Sequence, residues 1–134
     1  MSSSLMNNTY YSLKNGKSAI DYIYKFNLSF ARGNAFKYLT RASRKPNESA
    51  EKDLTKALTY ILTSDDDISK CFRIALRCIN RIKFNEHEEI ADFRIQEILK
   101  AIILFESKEQ IAKMIIDYMN FLGLTIKKEF RQYA

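Results

Sequence analysis

Apolar residues recur every three or four positions through most of the chain, and the alternation expected of a strand is missing. The spacing predicts about six helices after roughly 15 loosely ordered residues, and so an all-α, compact helical bundle. Ala19, Ile20, Ile23 and Phe26 mark a first helix over about 17–26. A second runs from Phe30 to Lys45, with Ala35, Phe36, Leu39 and Ala42 on one side and Asn34, Lys37, Tyr38, Arg41 and Lys45 on the other. Pro46 ends it, because the residue before a proline avoids helical dihedrals. A third helix, from near Ser49, is expected to bury Ala50, Leu54, Ala57, Leu58 and Ile61 and to expose Lys52, Asp53, Lys56 and Tyr60.

The second half continues the pattern. Asp65, Asp66 and Asp67 are expected to open a fourth helix, where carboxylates suit the free amides and the positive end of the dipole. Ile68, Cys71, Phe72, Ala75, Ile79 and Ile82 make its packing face, and Lys70, Arg73, Arg77 and Arg81 a basic stripe. A fifth helix, over about 86–106, spaces Ala91, Ile95, Ile98, Ile102 and Phe105 by alternate fours and threes, the seam of a bundle or of an oligomer. A sixth begins with the capping box Ser107 to Gln110, buries Ile111, Ile115, Tyr118 and Leu122, and stops at Gly123. Cys71 and Cys78, two turns apart on one face and too distant to pair, read as small core residues of a reduced protein.

Composition fits one domain or two small helical halves: 134 residues, 46% hydrophobic, with one proline and three glycines. The longest apolar stretch, around Ala101 to Phe105, is too short to span a bilayer, and the start MSSSLMNN lacks the basic and apolar regions of a secretory signal. No membrane association and a cytoplasmic location are expected. Charge divides the chain more sharply. Residues 1–64 hold ten Lys or Arg against four acids, while residues 65–134 hold twelve against twelve, so the whole excess of +6 lies in the first half. Such a local field points to phosphate, nucleic acid or another acidic partner.

The second and third helices are expected to form a helical hairpin with one cationic face, and this hairpin carries the candidate chemistry. Lys37, Arg41 and Lys45 supply donors for phosphate oxygens, Asn34 for a sugar or base edge, and Tyr38 a ring that stacks or donates a hydrogen bond, with Arg32 as a further candidate ligand-binding residue. No G-x-x-x-x-G-K-[ST] loop occurs, and glycines at 16, 33 and 123 are too dispersed to cradle a triphosphate, so side chains must do that work. GKSAIDYI, RGNAFKYLTRASRK and DLTKALTYI together resemble the small nucleotide kinase-like family of tailed phages, over roughly residues 10–62. The resemblance implies ligand-binding and core roles for Gly33, Asn34, Lys37, Tyr38, Arg41, Lys45, Asp53, Leu54, Lys56 and Ala57. It also implies deoxynucleoside monophosphate chemistry in an infected cell's cytoplasm. A magnesium ion, with Glu51 and Asp53 as candidate ligands, accompanies such phosphoryl transfer. Tyr11 and Ser12 stand where the family has His-Tyr, and Lys52 where it has an acid, so the resemblance carries binding further than catalysis.

The expected function is thus a nucleotide-binding protein that acts on phosphorylated nucleotides or sequesters them, with residues 1–64 as the nucleotide kinase-like region. Residues 65–134 form a helical extension for packing or oligomerisation, and the apolar seams of the fifth and sixth helices make a homo-oligomer the expected state. Two other readings belong to different classes. One is an inhibitor of a host defence factor acting through a protein partner; the other is a DNA-binding bundle using the second basic stripe. EHEEIAD places Glu86, Glu88, Glu89 and Asp92 at helical spacing near His87, a rival magnesium site, although acids in a first turn need no metal.

Overall fold

A computed structural model describes residues 12–44, 47–64 and 69–134. Among the described residues six α-helices follow in order: α1 (Ala19–Lys25), α2 (Phe30–Ala42), α3 (Asn47–Leu62), α4 (Lys70–Lys83), α5 (Phe93–Ile103) and α6 (Lys108–Phe121), with a closing 3-10 segment (Lys128–Tyr133). No strand occurs among the described residues; one isolated antiparallel bridge joins Ser12 to Ser18. None of the described helices is long and apolar enough to cross a membrane.

Local chemistry sets the helix ends. Asp21 Oδ2 accepts from the Ser18 backbone N–H at 3.0 Å in a capping box at the start of α1. Ser29 and Ser107 accept from Arg32 N and Gln110 N, which satisfies amides that open α2 and α6. Gly123, at φ +75°, lies just past the end of α6, where a side chain would be strained. Gly33 serves a different need: a Cβ there would stand 3.2 Å from Ile23 Cγ2, so the missing side chain lets α1 approach α2.

The α2–α3 hairpin is the centre of the molecule. α6 packs along α3, α5 lies against α6 and α2, and α1 covers α2. Ala35, Phe36, Leu39 and Ala42 of α2 meet Ala50, Leu54, Ala57, Leu58 and Ile61 of α3, all buried as their spacing predicts. Ala91, Ile95, Ile98, Ile102 and Phe105 are buried as well. Their seam is therefore consumed inside the chain and offers nothing to an oligomer.

Three expectations are corrected. First, α5 begins at Phe93, not Glu86. Ile90 is fully buried in the loop before it, the Ile90 and Ala91 N–H groups donate to Gln96 Oε1 at 2.8 and 3.3 Å, and Lys14 N donates to Ile90 O at 3.0 Å. A loop pinned by these bonds cannot also wind into a helix.

Second, α4 is turned over. Cys71, Phe72, Ala75, Ile79 and Ile82, the expected packing face, are exposed, and so is Cys78; Asp65 to Ile68 lie outside the described residues. The cause lies at the C-terminus of α5, whose last carbonyls lack intrahelical donors. Asn80, 1% exposed, donates from Nδ2 to Ile103 O at 2.8 Å and to Phe26 O at 3.2 Å. Arg77 donates from Nε to Leu104 O at 3.0 Å and from Nη2 to Phe105 O at 3.3 Å, and it pairs with Glu106 at 3.1 Å. Buried carbonyls left unpaired cost about 1–3 kcal/mol each, so the polar face of α4 is drawn inward.

Third, Asp53 is buried, at 2% exposure, rather than on an outer arc. Of the aromatics around α1, Tyr22 and Phe26 are buried and Tyr24 is 73% exposed.

Candidate ligand-binding face

The stripe of α2 opposite its packing side lies beside the outer arc of α3, and the two assemble an aromatic row. Tyr38 of α2 stacks on Tyr60 of α3, ring centroids 5.8 Å apart and planes 9° from parallel. Phe30 meets Tyr60 edge-on at 6.1 Å and is itself 80% exposed. Lys37 and Lys56 bring their ammonium groups to 4.9 and 5.1 Å from the Tyr38 ring centre, where the ring's negative face attracts a cation. Asn34 sits one turn from Phe30 and donates from Nδ2 to Phe30 O at 2.9 Å. Two lysines from two helices are thus held beside exposed aromatic surface, and α2 itself carries no carboxylate.

The remaining predicted residues are placed differently. Arg41 turns toward α3 and pairs through Nε with Asp53 Oδ2 at 3.3 Å, the carboxylate almost wholly buried and the arginine partly so. Arg32 points inward. At 5% exposure it donates to Ile102 O at 3.4 Å and Glu106 O at 2.7 Å, and its guanidinium lies 5.0 Å over the Phe105 ring. Phe105 holds the left-handed position after α5, at φ +55°, which a bulky side chain avoids unless its surroundings compel it. The buried ring beneath Arg32 supplies that compulsion. Lys45 lies outside the described residues.

Among the described residues the two candidate magnesium ligands stand apart. Glu51 and Asp53, two positions apart, project about 200° from each other around a helix. Glu51 Oε1 accepts from Thr125 N at 2.9 Å, tying down the tail, while Asp53 faces Arg41. No group of three or more metal-capable side chains occurs among the described residues. The acids of EHEEIAD are dispersed among cations: Glu86 pairs with Lys100 at 3.0 Å, and Lys14 bridges Glu89 and Asp92 at 2.7 and 2.9 Å. These partners hold the Lys14 ammonium above its ordinary pKa. Glu88 accepts from the Tyr22 hydroxyl, a bond that lowers the Glu88 pKa, while burial and the same carboxylate push the Tyr22 phenol well up. His87 is exposed on this loop.

Phe30 and Tyr60 are not among the ligand residues expected from the sequence, although local spacing points to both. Phe30 precedes Asn34 by four positions and so extends the α2 stripe, while Tyr60 already stands on the expected outer arc of α3, four positions after Lys56. A cleft of about 570 Å³ opens elsewhere, between Ala42, Ser43 and Ala50 on one side and α5 and α6 on the other, where Arg94 lies 3.8 Å over Phe121. Of the candidate ligand residues expected from the sequence only Asp92, from the rival acidic cluster, lines it; none of the α2–α3 ligand residues does.

Residues 7–62 match a family model described as "Protein of unknown function (DUF3310)". That span covers α1 to α3, including the whole aromatic and lysine face. No curated protein and no solved structure matches the chain.

Proposed function

We propose that the chain binds phosphorylated nucleotides on the α2–α3 face, with the base stacked on the exposed edge of the aromatic row and the phosphates met by Lys37 and Lys56. The observation that carries the reading is the convergence of both lysines on the Tyr38 ring, itself stacked on Tyr60. Base–aromatic stacking contributes about 1–3 kcal/mol per base. Each charge-assisted bond to phosphate adds about 1.5–3 kcal/mol. The resemblance to nucleotide kinase-like phage proteins supports the same ligand class. Binding is the activity proposed; the separation of Glu51 from Asp53 supports no metal-assisted step. A DNA-binding role loses part of its basis, because Arg77 of the second basic stripe is occupied at the end of α5.

Calorimetry with deoxynucleoside mono-, di- and triphosphates tests the reading. Wild type should bind at least one of them, and Lys37→Ala should weaken binding about tenfold to a hundredfold with little change in melting temperature. Absence of binding across the panel would defeat the proposal. Duplex DNA at two salt concentrations provides the contrast: affinity that exceeds nucleotide affinity and collapses with salt would favour a nucleic-acid partner instead.

A further inference from the structure

Phe93 and Arg94 at the start of α5 and Tyr118 and Phe121 toward the end of α6 line the cleft of about 570 Å³, a volume in the range of small-molecule sites. A smaller cleft of about 200 Å³ adjoins it and shares Phe93, Arg94 and Tyr118. Phe93 and Phe121 are 77% and 60% exposed, so aromatic surface that folding favours burying stays open to water here. The Arg94 guanidinium lies 3.8 Å over the Phe121 ring and makes no hydrogen bond or ion pair among the described residues. Arg32 and Arg77, by contrast, give their donors to carbonyls near the end of α5. The ring contact restrains the Arg94 guanidinium while its donor fork stays unengaged, the arrangement that grips a carboxylate with two parallel bonds. Tyr118 is partly buried, and its hydroxyl makes no hydrogen bond among the described residues. Burial holds its phenol above the ordinary pKa, so it remains a neutral donor.

We infer that this cleft binds a small flat aromatic ring bearing one carboxylate, the ring lying against Phe93 and Phe121 and the carboxylate taking the Arg94 donors. The inference is independent of the nucleotide reading. Charge selects the class. Asp92 also lines the cleft, but Lys14 holds it at 2.9 Å, so Arg94 leaves one positive charge there without a compensating acid. In the smaller cleft Asp117 pairs with Lys113 at 3.3 Å, and Glu97 makes no ion pair with Arg94. No described lysine lines either cleft. One carboxylate matches one guanidinium, whereas a phosphate dianion would bring a second charge toward Asp92 with no cation to meet it. The site therefore differs in ligand from the lysine-bearing α2–α3 face.

Titration with naphthoate, followed by its own fluorescence and by amide chemical shifts, tests the inference, with naphthamide and naphthyl phosphate as the uncharged and doubly charged analogues. Wild type should bind naphthoate saturably at sub-millimolar concentration and at least tenfold more tightly than either analogue. The largest shifts should fall at Ser43, Arg94 and Phe121, with none around Tyr38 or Tyr60. Arg94→Gln should weaken naphthoate at least tenfold and erase the preference over naphthamide, at an unchanged melting temperature, because Arg94 is exposed and unpaired. The analogue comparison uses the wild-type protein and so stands whatever the variant does to folding. Absence of saturable binding, equal affinity for naphthamide, tighter binding of naphthyl phosphate, shifts centred on Tyr38 and Tyr60, or wild-type affinity in a folded Arg94→Gln variant each overturns the inference.

Discussion

Replacing Arg41 with Met keeps the aliphatic stem but deletes the guanidinium that faces Asp53 at 3.3 Å. The side chain of Asp53 is only 4% exposed, so its carboxylate cannot turn to water for compensation. Breaking a fully buried ion pair by removing one partner costs about 3–5 kcal/mol. The Arg41 side chain is 33% exposed, which lowers the expectation to about 2–3 kcal/mol, since solvent already screens part of the attraction. For a domain of this size that is a fall in Tm of about 6–15 °C. Urea unfolding of Arg41→Met, Asp53→Asn and the double variant completes a cycle. A coupling energy of about 1–2 kcal/mol is expected, with the double variant more stable than the sum of the single losses. A Tm within one degree of wild type for Arg41→Met, or zero coupling, would refute the argument that this arginine is structural. The outcome also governs how ligand binding is read. Lost affinity in an Arg41 variant mixes stability with contact, whereas Lys37 and Lys56 probe the face itself.

Two further outcomes follow from the tertiary contacts. Asn80→Ala strips donors from Phe26 O and Ile103 O, and a loss of about 1–3 kcal/mol with faster tryptic cleavage inside α4 is expected; an unchanged cleavage rate would show that Asn80 does not anchor the helix. Glu88 has a lowered folded pKa because it accepts from Tyr22, so its contribution is fully present above its unfolded value near 4.5 and disappears as pH falls through the lower folded value. Glu88→Gln should therefore flatten the acid limb of a stability-against-pH curve relative to wild type, and parallel limbs would contradict the assignment.

Periodicity and caps determined a large part of this molecule from the sequence alone. The packing sides of α2 and α3, the Ser107 cap of α6, its stop before Gly123 and the cationic stripe through Lys37 and Tyr38 all depend on neighbours within one or two turns. Interactions of that range are written in local spacing. The orientation of α4, the late start of α5, the inward turn of Arg32 and the burial of Asp53 are not. Arg32 reaches a carbonyl 70 positions away and Arg77 one 27 positions away, both near the C-terminus of α5. No periodic pattern shows that a helix end will need donors, or which distant arginine supplies them. Only when the chain has folded does the cost of leaving those carbonyls unpaired outweigh the preference of an amphipathic helix for hiding its apolar side.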